Sequence, residues 1–309
     1  MPLNRLARHM PFSRLSHLTG IRWASTAIVG ESGRVYVQGE VLRRRLQDHN
    51  LSIFQSRNQT LVLKRVPRPF YNQSLLAAKF IGCRSTLLSL IQNSKEFSRL
   101  LLQKILRRIA EAIDELYNKN WAYIDIKLDN VLLNWTVDNE GNEVITDVVL
   151  GDSDLARKLE DGHALETGYA IGNVMWRSLE GQTGTTVTKA SDIFSFGLVC
   201  IYTLGGGSFL FIGDYEEMKK VGATLEQEIV TRHFSYFGPV PSGLLMRINN
   251  EHWRLNDDPE MRFTTWGAEL GPVALDMISG MTNLDPKART TITEVLSHLW
   301  WQATDSIGG

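Results

Sequence analysis

The stretch that most constrains this chain is the octet at residues 123–130, Tyr-Ile-Asp-Ile-Lys-Leu-Asp-Asn. It places a carboxylate at Asp125, a lysine two residues later at Lys127 and an amide at Asn130, just before the apolar segment 131–133. Phosphoryl transfer needs such a set, because a carboxylate accepts the proton of the attacking hydroxyl, a cation stabilises the γ-phosphoryl group and an amide oxygen holds magnesium. Taken alone, the octet is equally compatible with a polar turn between a helix and a strand.

Four charged residues downstream of the octet stand in segments with recognisable patterns. Asp152 follows an apolar segment that the turn at 138–142 folds back as a hairpin. Glu180 ends Gly-Asn-Val-Met-Trp-Arg-Ser-Leu-Glu, Asp192 begins Asp-Ile-Phe-Ser-Phe-Gly, and Arg289 ends Leu-Asp-Pro-Lys-Ala-Arg. Their order and spacing resemble the eukaryotic protein kinases, in which H-R-D-x-K-x-x-N is followed by D-F-G, A-P-E and D-x-W-S-x-G.

The resemblance implies ATP-dependent phosphoryl transfer with Mg²⁺ as the cofactor. It implies that Asp125 orients the substrate hydroxyl and accepts its proton, while Lys127 stabilises the γ-phosphoryl group. Asn130 and Asp152 correspond to the magnesium ligands, and Lys64 to the lysine that holds the α- and β-phosphates. Lysine two residues after the catalytic aspartate is the pattern of Ser/Thr kinases. The resemblance also implies that Asp192 braces the catalytic loop and that Arg289 pairs with Glu180.

The segment before the octet matches the family poorly. Residues 35–64 have a β-like pattern, and Val62-Leu63-Lys64 resembles the V-A-I-K strand of kinases. No glycine lies between Glu40 and Lys64, so the glycine-rich loop is absent. Without glycines the backbone cannot approach phosphates as closely, and we expect ATP affinity to suffer.

An acidic partner for the strand lysine is also missing. Residues 65–95 contain neither Asp nor Glu, whereas a kinase needs an acid on a helix there. About 30 residues are present where about 45 would be needed at average element sizes. Either the small lobe is naturally reduced, or the gene model skipped coding sequence between Phe80 and Arg84. The second alternative is favoured because the flanking segments still resemble a kinase.

The fold predicted from these patterns is α+β and bilobal, with ATP in the cleft between the lobes. We expect a small, mainly β and incomplete N-lobe and a large, mainly α C-lobe. A strong amphipathic pattern predicts a helix over 96–117. The predicted division is a basic tail at 1–34, a kinase domain at 35–303 divided into 35–88 and 89–303, and a tail at 304–309.

Composition limits the partners and the compartment. A net charge of −1 gives no general attraction to nucleic acid or to anionic membranes, and no convincing membrane span is present. Two cysteines make no disulfide framework, which suits the cytoplasm or the nucleus. The first thirty residues are rich in arginine and contain no acid before Glu31, so a mitochondrial transit peptide is the alternative.

Three classes of function stay open. The first is a Ser/Thr kinase that acts on a protein substrate. The second is a pseudokinase that serves as a binding or scaffold module, favoured by the missing glycine loop, the unpartnered Lys64 and Ser153-Asp154 in place of Phe-Gly. The third is a small-molecule kinase, which the well-marked activation segment at 152–180 argues against because that segment normally docks a peptide.

Two departures from the family pattern affect regulation and substrate contact. Ile124 replaces the arginine that normally binds a phosphorylated activation loop. Phosphate on Thr167 or Tyr169 then has no obvious receptor, so we expect any activity to be independent of loop phosphorylation. Asn173 occupies the position of a threonine that touches the catalytic aspartate in Ser/Thr kinases, and its side chain can still form hydrogen bonds.

Overall fold

The structure is a computed structural model. It describes residues 85–93, 97–140, 143–160, 163–205, 222, 224–240 and 259–302, together with the backbone of five strands that precede residue 65. The chain divides into two compact units, Met1–Asn72 and Gln73–Gly309. The predicted division between lobes at residue 88 stays a prediction.

The first unit contains a five-stranded antiparallel sheet in which neighbours in the chain are neighbours in the sheet. This confirms the β pattern predicted for 35–64. The first two strands fall within residues 1–34, the stretch predicted as a tail, and the second of them pairs with the strand that begins at Val35. The strands are β1 (Arg8–Met10), β2 (Ala27–Val29), β3 (Val35–Arg43), β4 (Leu51–Ser56) and β5 (Gln59–Lys64).

The described strands of the second unit form two small antiparallel sheets. Their bounds are β6 (Ser85–Thr86), β7 (Trp121–Ala122), β8 (Val131–Val137), β9 (Glu143–Leu150) and β10 (Arg157–Lys158). The sheet of β6, β8 and β9 contains the predicted hairpin, in which Val131 lies opposite Leu150. The sheet of β7 and β10 pairs Ala122 with Arg157. The two sheets therefore enclose both ends of the 123–130 octet.

Helices make up most of the remaining described structure of this unit. They are α1 (Leu87–Asn93), α2 (Arg99–Asn118), α3 (Leu179–Thr183), α4 (Lys189–Thr203), α5 (Leu225–Phe237), α6 (Phe263–Trp266), α7 (Pro272–Met281) and α8 (Ile292–Ser297). Short 3₁₀ turns occur at Leu128–Asn130 and Ser153–Leu155, within and after the candidate site. The predicted α+β class is confirmed.

Helix α2 matches the predicted amphipathic pattern closely. It begins after Ser98, whose hydroxyl accepts the Leu101 N–H as an N-cap. Apolar residues at helical spacing, including Ile105, Ile109 and Ile113, are fully buried, and arginines occupy the opposite face. The helix starts three residues later than predicted because the cap, and not the first apolar residue, sets its start.

Helix α4 is the central buried element of the second unit. Thr188 caps its first turn in a reciprocal capping box with Ser191. Nearly every residue from Ser191 to Thr203 is buried, so the helix is surrounded by protein on all sides. A charged group on such a helix must find partners within the protein. Asp192, in its first turn, is that group.

Two of the predictions concern the membrane and the small lobe. Among the described residues, no helix is both long and apolar enough to cross a bilayer. The helix predicted to start within 75–80, and the junction between Phe80 and Arg84, lie outside the described residues.

Candidate active site

The three polar side chains of the octet form one hydrogen-bonded cluster. The Lys127 Nζ atom donates to Asp125 Oδ2 at 2.7 Å. The Asn130 Nδ2 atom donates to the same carboxylate oxygen at 3.0 Å and to the Asp125 carbonyl oxygen at 2.9 Å. Asp125 and Asn130 are 7% and 5% exposed, so these contacts are shielded from water. The contacts within the loop therefore give the carboxylate a defined orientation.

The local sequence explains why these side chains converge. The apolar residues Ile126 and Leu128 alternate with Asp125 and Lys127, and both apolar side chains are fully buried. Their burial turns the polar members of the alternation toward the opposite side. The 3₁₀ turn at Leu128–Asn130 then brings the Asn130 amide back to Asp125.

Helix α4 anchors the octet through Asp192. The Asp192 carboxylate accepts the backbone N–H of Tyr123 at 2.6 Å and that of Ile124 at 2.7 Å. Ile124 has a φ of 71°, a left-handed conformation that costs an L-residue about 1–2 kcal/mol and that β-branched residues rarely adopt. These two bonds hold the strained residue directly before Asp125, which confirms the predicted bracing role of Asp192.

Asp192 is a buried carboxylate without a described cationic partner. Burial raises the pKa of its carboxyl group to about 7, and the N–H donors of Tyr123 and Ile124 oppose that rise. Neutral donors thus offset only part of the cost of burying the charge.

Asp152 is brought to the octet by the register of the β8–β9 hairpin. Val131 lies opposite Leu150, and the Gly151 N–H donates to the Asn130 carbonyl oxygen at 2.7 Å. Asp152 follows in a left-handed conformation, with φ 53° and ψ 58°, and is exposed. The hairpin register therefore places Asp152 close to Asn130 in the fold.

The buried phenol of Tyr123 reports the charge around the octet. Its pKa is raised well above the ordinary value by burial first and then by the carboxylates of Asp125, Asp152 and Asp192. Asp125, Asp152 and Asp192 therefore all lie close enough to Tyr123 to act on its charge.

The donor set fits a magnesium ion. Both described bonds of the Asn130 amide use its nitrogen, which leaves its oxygen for another partner. Together with the exposed Asp152 carboxylate, it supplies the oxygen ligands that Mg²⁺ prefers. The predicted metal ligands Asn130 and Asp152 are therefore chemically suited to that role, which stays a prediction.

Lys64 is placed by its backbone alone. It is the last residue of β5, opposite Leu51 in β4. Its side chain lies outside the described residues, so its predicted contact with the α- and β-phosphates stays a prediction.

The activation segment reaches Asp125 through its backbone. The Asn173 N–H donates to Asp125 Oδ1 at 3.2 Å, while the Asn173 side-chain oxygen accepts the Met175 N–H at 3.0 Å. The sequence led us to consider a side-chain bond from this position. Because the asparagine caps its own turn instead, the contact with Asp125 comes from the main chain.

The end of the activation segment is fixed by a buried ion pair. Arg289 Nη1 donates to Glu180 Oε1 at 2.5 Å, and both side chains are almost completely buried. Ser191 adds a hydrogen bond to Glu180, and the Ala190 carbonyl accepts a further one from Arg289. Although burial would raise the pKa of Glu180, the Arg289 guanidinium holds it below the ordinary value. The predicted pairing of Arg289 with Glu180 is confirmed.

Sequence reasoning missed the part that Ile124 plays. It identified this residue only as the replacement for an arginine, whereas the structure shows a residue in the left-handed conformation whose N–H is bonded to Asp192. No local signal could have found it, since β-branched residues disfavour positive φ.

Comparison with known proteins agrees with the geometry. The model of the protein kinase domain matches residues 69–301. The chain is similar to the mitogen-activated protein kinase mpkA of Aspergillus fumigatus, with 24% identity over 254 residues that cover 78% of this chain and 55% of the relative. It is also similar to the serine/threonine-protein kinase/endoribonuclease IRE1 of Hypocrea jecorina, with 26% identity over 70% of this chain and 18% of the relative.

A third relative and a solved structure extend the comparison. Ribosomal protein S6 kinase 2 alpha of Gallus gallus is 26% identical over 72% of this chain and 25% of its own length. The chain thus spans about half the length of these curated relatives, or less. The crystal structure of the yeast RNA Pol II CTD kinase CTDK-1 complex contains a chain that matches with a TM-score of 0.55 and 13% identity, over 97% of this chain and 93% of that chain. This likeness confirms the bilobal kinase-like fold.

Proposed function

We propose that this chain, which belongs to the protein kinase domain family, transfers the γ-phosphoryl group of ATP to serine or threonine hydroxyls of a protein substrate. The observation that carries the proposal is the buried cluster of Asp125, Lys127 and Asn130, in which the lysine and the amide both contact one carboxylate oxygen. A solvated polar turn would not need such mutual orientation.

Asp125 is the group that would accept the substrate proton. Its Oδ2 atom receives two donors from its own loop, and its Oδ1 atom receives the Asn173 N–H from the activation segment. Fixing both oxygens limits the carboxylate to one rotamer, so that a hydroxyl entering along the activation segment meets an oriented base. Positioning of this kind supplies most of the catalysis of phosphoryl transfer.

Lys127 would pass from one partner to another during the reaction. It pairs with Asp125 at 2.7 Å, and its side chain is only 17% exposed. A γ-phosphoryl group that accumulates negative charge offers a stronger partner to the same ammonium. Lysine at this position, together with similarity to one relative named as a serine/threonine-protein kinase, supports a hydroxyl of Ser or Thr as the acceptor.

Asn130 and Asp152 would hold Mg²⁺, which would neutralise the negative charge of the phosphates. The free amide oxygen of Asn130 and the exposed carboxylate of Asp152 support this. Lys64 would hold the α- and β-phosphates; only its place at the end of β5, in a strand that resembles V-A-I-K, supports that role.

Transfer of labelled γ-phosphate to mixed Ser-, Thr- and Tyr-containing peptides tests this function. We expect Mg-ATP-dependent label on Ser or Thr and none on Tyr. Label on tyrosine alone would contradict the acceptor class, and label on a small-molecule alcohol alone would contradict the protein substrate.

A scaffold function is the second candidate. It is favoured by the absence of glycine between Glu40 and Lys64 and of any acid in residues 65–95. Thermal unfolding with and without Mg-ATP separates the two candidates, because binding at 100 times Kd stabilises a protein by about 2.7 kcal/mol. A shift accompanied by transfer supports the enzyme, and no shift at millimolar Mg-ATP supports the scaffold.

A further inference from the structure

Gly172 lies where the activation segment meets the octet, and two features of its surroundings require a residue without a side chain. Its φ is +89°, a conformation that L-residues with a side chain rarely adopt. A Cβ atom on this residue would also lie 2.6 Å from the carbonyl oxygen of Ile124, which is backbone and cannot swing away. The two main chains are therefore in direct contact at this point.

The contact joins the residue before the proton acceptor to the residue before the hydrogen-bond donor. Ile124 directly precedes Asp125, and Gly172 directly precedes Asn173, whose N–H donates to Asp125 Oδ1 at 3.2 Å. Ile124 is itself fixed, because its N–H is bonded to Asp192 at 2.7 Å. The approach of Gly172 to Ile124 is thus what brings the Asn173 N–H within reach of Asp125.

The peptide group between Gly172 and Asn173 is held at both ends. Its carbonyl oxygen accepts a hydrogen bond from Arg177 Nη1 at 3.3 Å, and its N–H is the donor to Asp125. Arg177 is 8% exposed and is fixed by a 2.5 Å bond from its Nε atom to Gln182 Oε1. Rotation of this peptide would break both bonds at once.

We propose that Gly172 is a positioning residue for the reaction, acting through the peptide group that follows it on the Asp125 carboxylate. The proposal rests on the proposed phosphoryl transfer. A side chain at this position would separate the activation segment from Ile124, remove the donor from Asp125 Oδ1 and leave that oxygen free to rotate. None of these contacts involves Lys64, Asn130 or Asp152, to which nucleotide and metal binding are assigned, so the Kd of Mg-ATP should be unaffected.

Gly168 supplies a matched control within the same segment. Its φ is +70°, so alanine meets a similar backbone penalty, but no described atom beyond its own residue and its two chain neighbours lies within 4 Å of the position of its Cβ. Gly172→Ala and Gly168→Ala therefore differ in the contact with Ile124. We would measure three quantities for each variant: hydrogen exchange of the Asn173 amide, the kcat and KM of peptide phosphorylation, and the Kd of Mg-ATP.

For Gly172→Ala we expect exchange of the Asn173 amide to accelerate about tenfold, as for loss of one hydrogen bond. The kcat should fall on the order of 10²-fold, as for a displacement of about 1 Å, and the Kd of Mg-ATP should be unchanged. Gly168→Ala should leave amide exchange and kcat near their wild-type values. Equal effects of the two variants on amide exchange would overturn the proposal.

The exchange measurement also separates this proposal from the proposed function. If the wild-type chain transfers no phosphate, the proposed function fails, while faster exchange only in Gly172→Ala still supports the contact with Asp125. If the wild type is active and Gly172→Ala keeps its kcat, Gly172 is structural only and the proposal fails.

Discussion

Two buried carboxylates of the second unit support the candidate site in different ways. Glu180, at the end of the activation segment, is 3% exposed and faces the Arg289 guanidinium. Asp192, beneath the octet, is 1% exposed and receives the backbone N–H groups of Tyr123 and Ile124. The pKa of Glu180 is lowered, since Arg289 and the hydrogen bonds to the carboxylate together outweigh burial, whereas burial raises that of Asp192 to about 7.

The difference shows which contact mainly stabilises the fold and which one positions the backbone next to Asp125. A charge paired with a buried cation contributes most when both members are present and costs most when one is lost. A charge held by main-chain donors fixes the backbone that donates, here the strained Ile124 next to Asp125. We therefore expect changes at Glu180 and Arg289 to act mainly on stability, and changes at Asp192 to act mainly on the geometry of the octet.

The largest expected loss of stability is that of Arg289→Met, which leaves Glu180 buried without its cation. We expect the free energy of unfolding to fall by about 3–5 kcal/mol. Urea unfolding at pH 7 measures this. The double variant Glu180→Gln/Arg289→Met removes the uncompensated charge and should recover part of the loss. A double variant less stable than Arg289→Met would show that the charge pairing is not the main term.

His233 extends the comparison to a buried base. Its ring is fully buried between Phe194 and Phe237, at centroid distances of 5.0 and 6.0 Å. Burial first, and then the charges of Arg177 and Arg289, lowers its pKa to about 3. Between about pH 6.5 and this value the unfolded chain binds a proton that the folded chain does not, so folding stability falls as the pH falls.

We expect this group to destabilise the wild type by roughly 1.4 kcal/mol per pH unit below pH 6.5. His233→Leu should lose that component. The free energy of unfolding of the variant should therefore rise relative to that of the wild type as the pH falls from 7.5 to 5. Urea unfolding of both proteins across this range measures the difference. A stability difference that does not change with pH would mean that the folded protein leaves the pKa of His233 at its ordinary value.

Asp192→Asn tests the carboxylate for which the described residues supply no cationic partner. Asparagine has one acceptor oxygen, so one of the two N–H groups of Tyr123 and Ile124 loses its acceptor, at a cost of about 1–3 kcal/mol. Because the affected backbone carries Asp125, the rate of phosphoryl transfer by the folded protein should fall on the order of 10²-fold. Peptide phosphorylation at a temperature where the variant is fully folded measures the rate. A folded variant with the wild-type rate would remove Asp192 from the positioning of the octet.

The smallest effects are expected at the exposed face of the activation segment. The Thr167 hydroxyl lies 2.6 Å from the Tyr169 carbonyl oxygen and 3.1 Å from that of Gly184, so its single O–H donates a neutral hydrogen bond that already holds the segment. Thr167→Ala should cost about 1 kcal/mol of stability, and it should leave the phosphorylation rate unchanged, as should Tyr169→Phe. A large drop in the rate of either variant would mean that loop phosphorylation is needed.

The sequence was sufficient wherever a short motif specifies residue types. The cluster of Asp125, Lys127 and Asn130 depends on spacing within one loop, and the partners Glu180 and Arg289 follow from motifs that resemble a known family. Helix α2 followed from apolar periodicity, and its start differed because Ser98 caps it.

Other features could not be predicted because they arise from packing between distant segments. The left-handed Ile124 contradicts local propensity and exists because Asp192 accepts its N–H. The bond from the Asn173 main chain to Asp125 depends on the approach of Gly172, which no periodicity reveals. The burial of His233 likewise depends on the aromatic residues of two helices.

The most direct test of the candidate active site is the transfer rate of Asp125→Asn against that of Asp129→Asn. Asp129 is an exposed carboxylate in the same 3₁₀ turn and takes no part in the described cluster. At saturating Mg-ATP, Asp125→Asn should lower the rate on the order of 10²–10⁴-fold, the usual contribution of a general base. Asp129→Asn should stay within about twofold of wild type, and both variants should be folded at the assay temperature. Retained turnover in a folded Asp125→Asn protein would contradict the role of Asp125 as the proton acceptor.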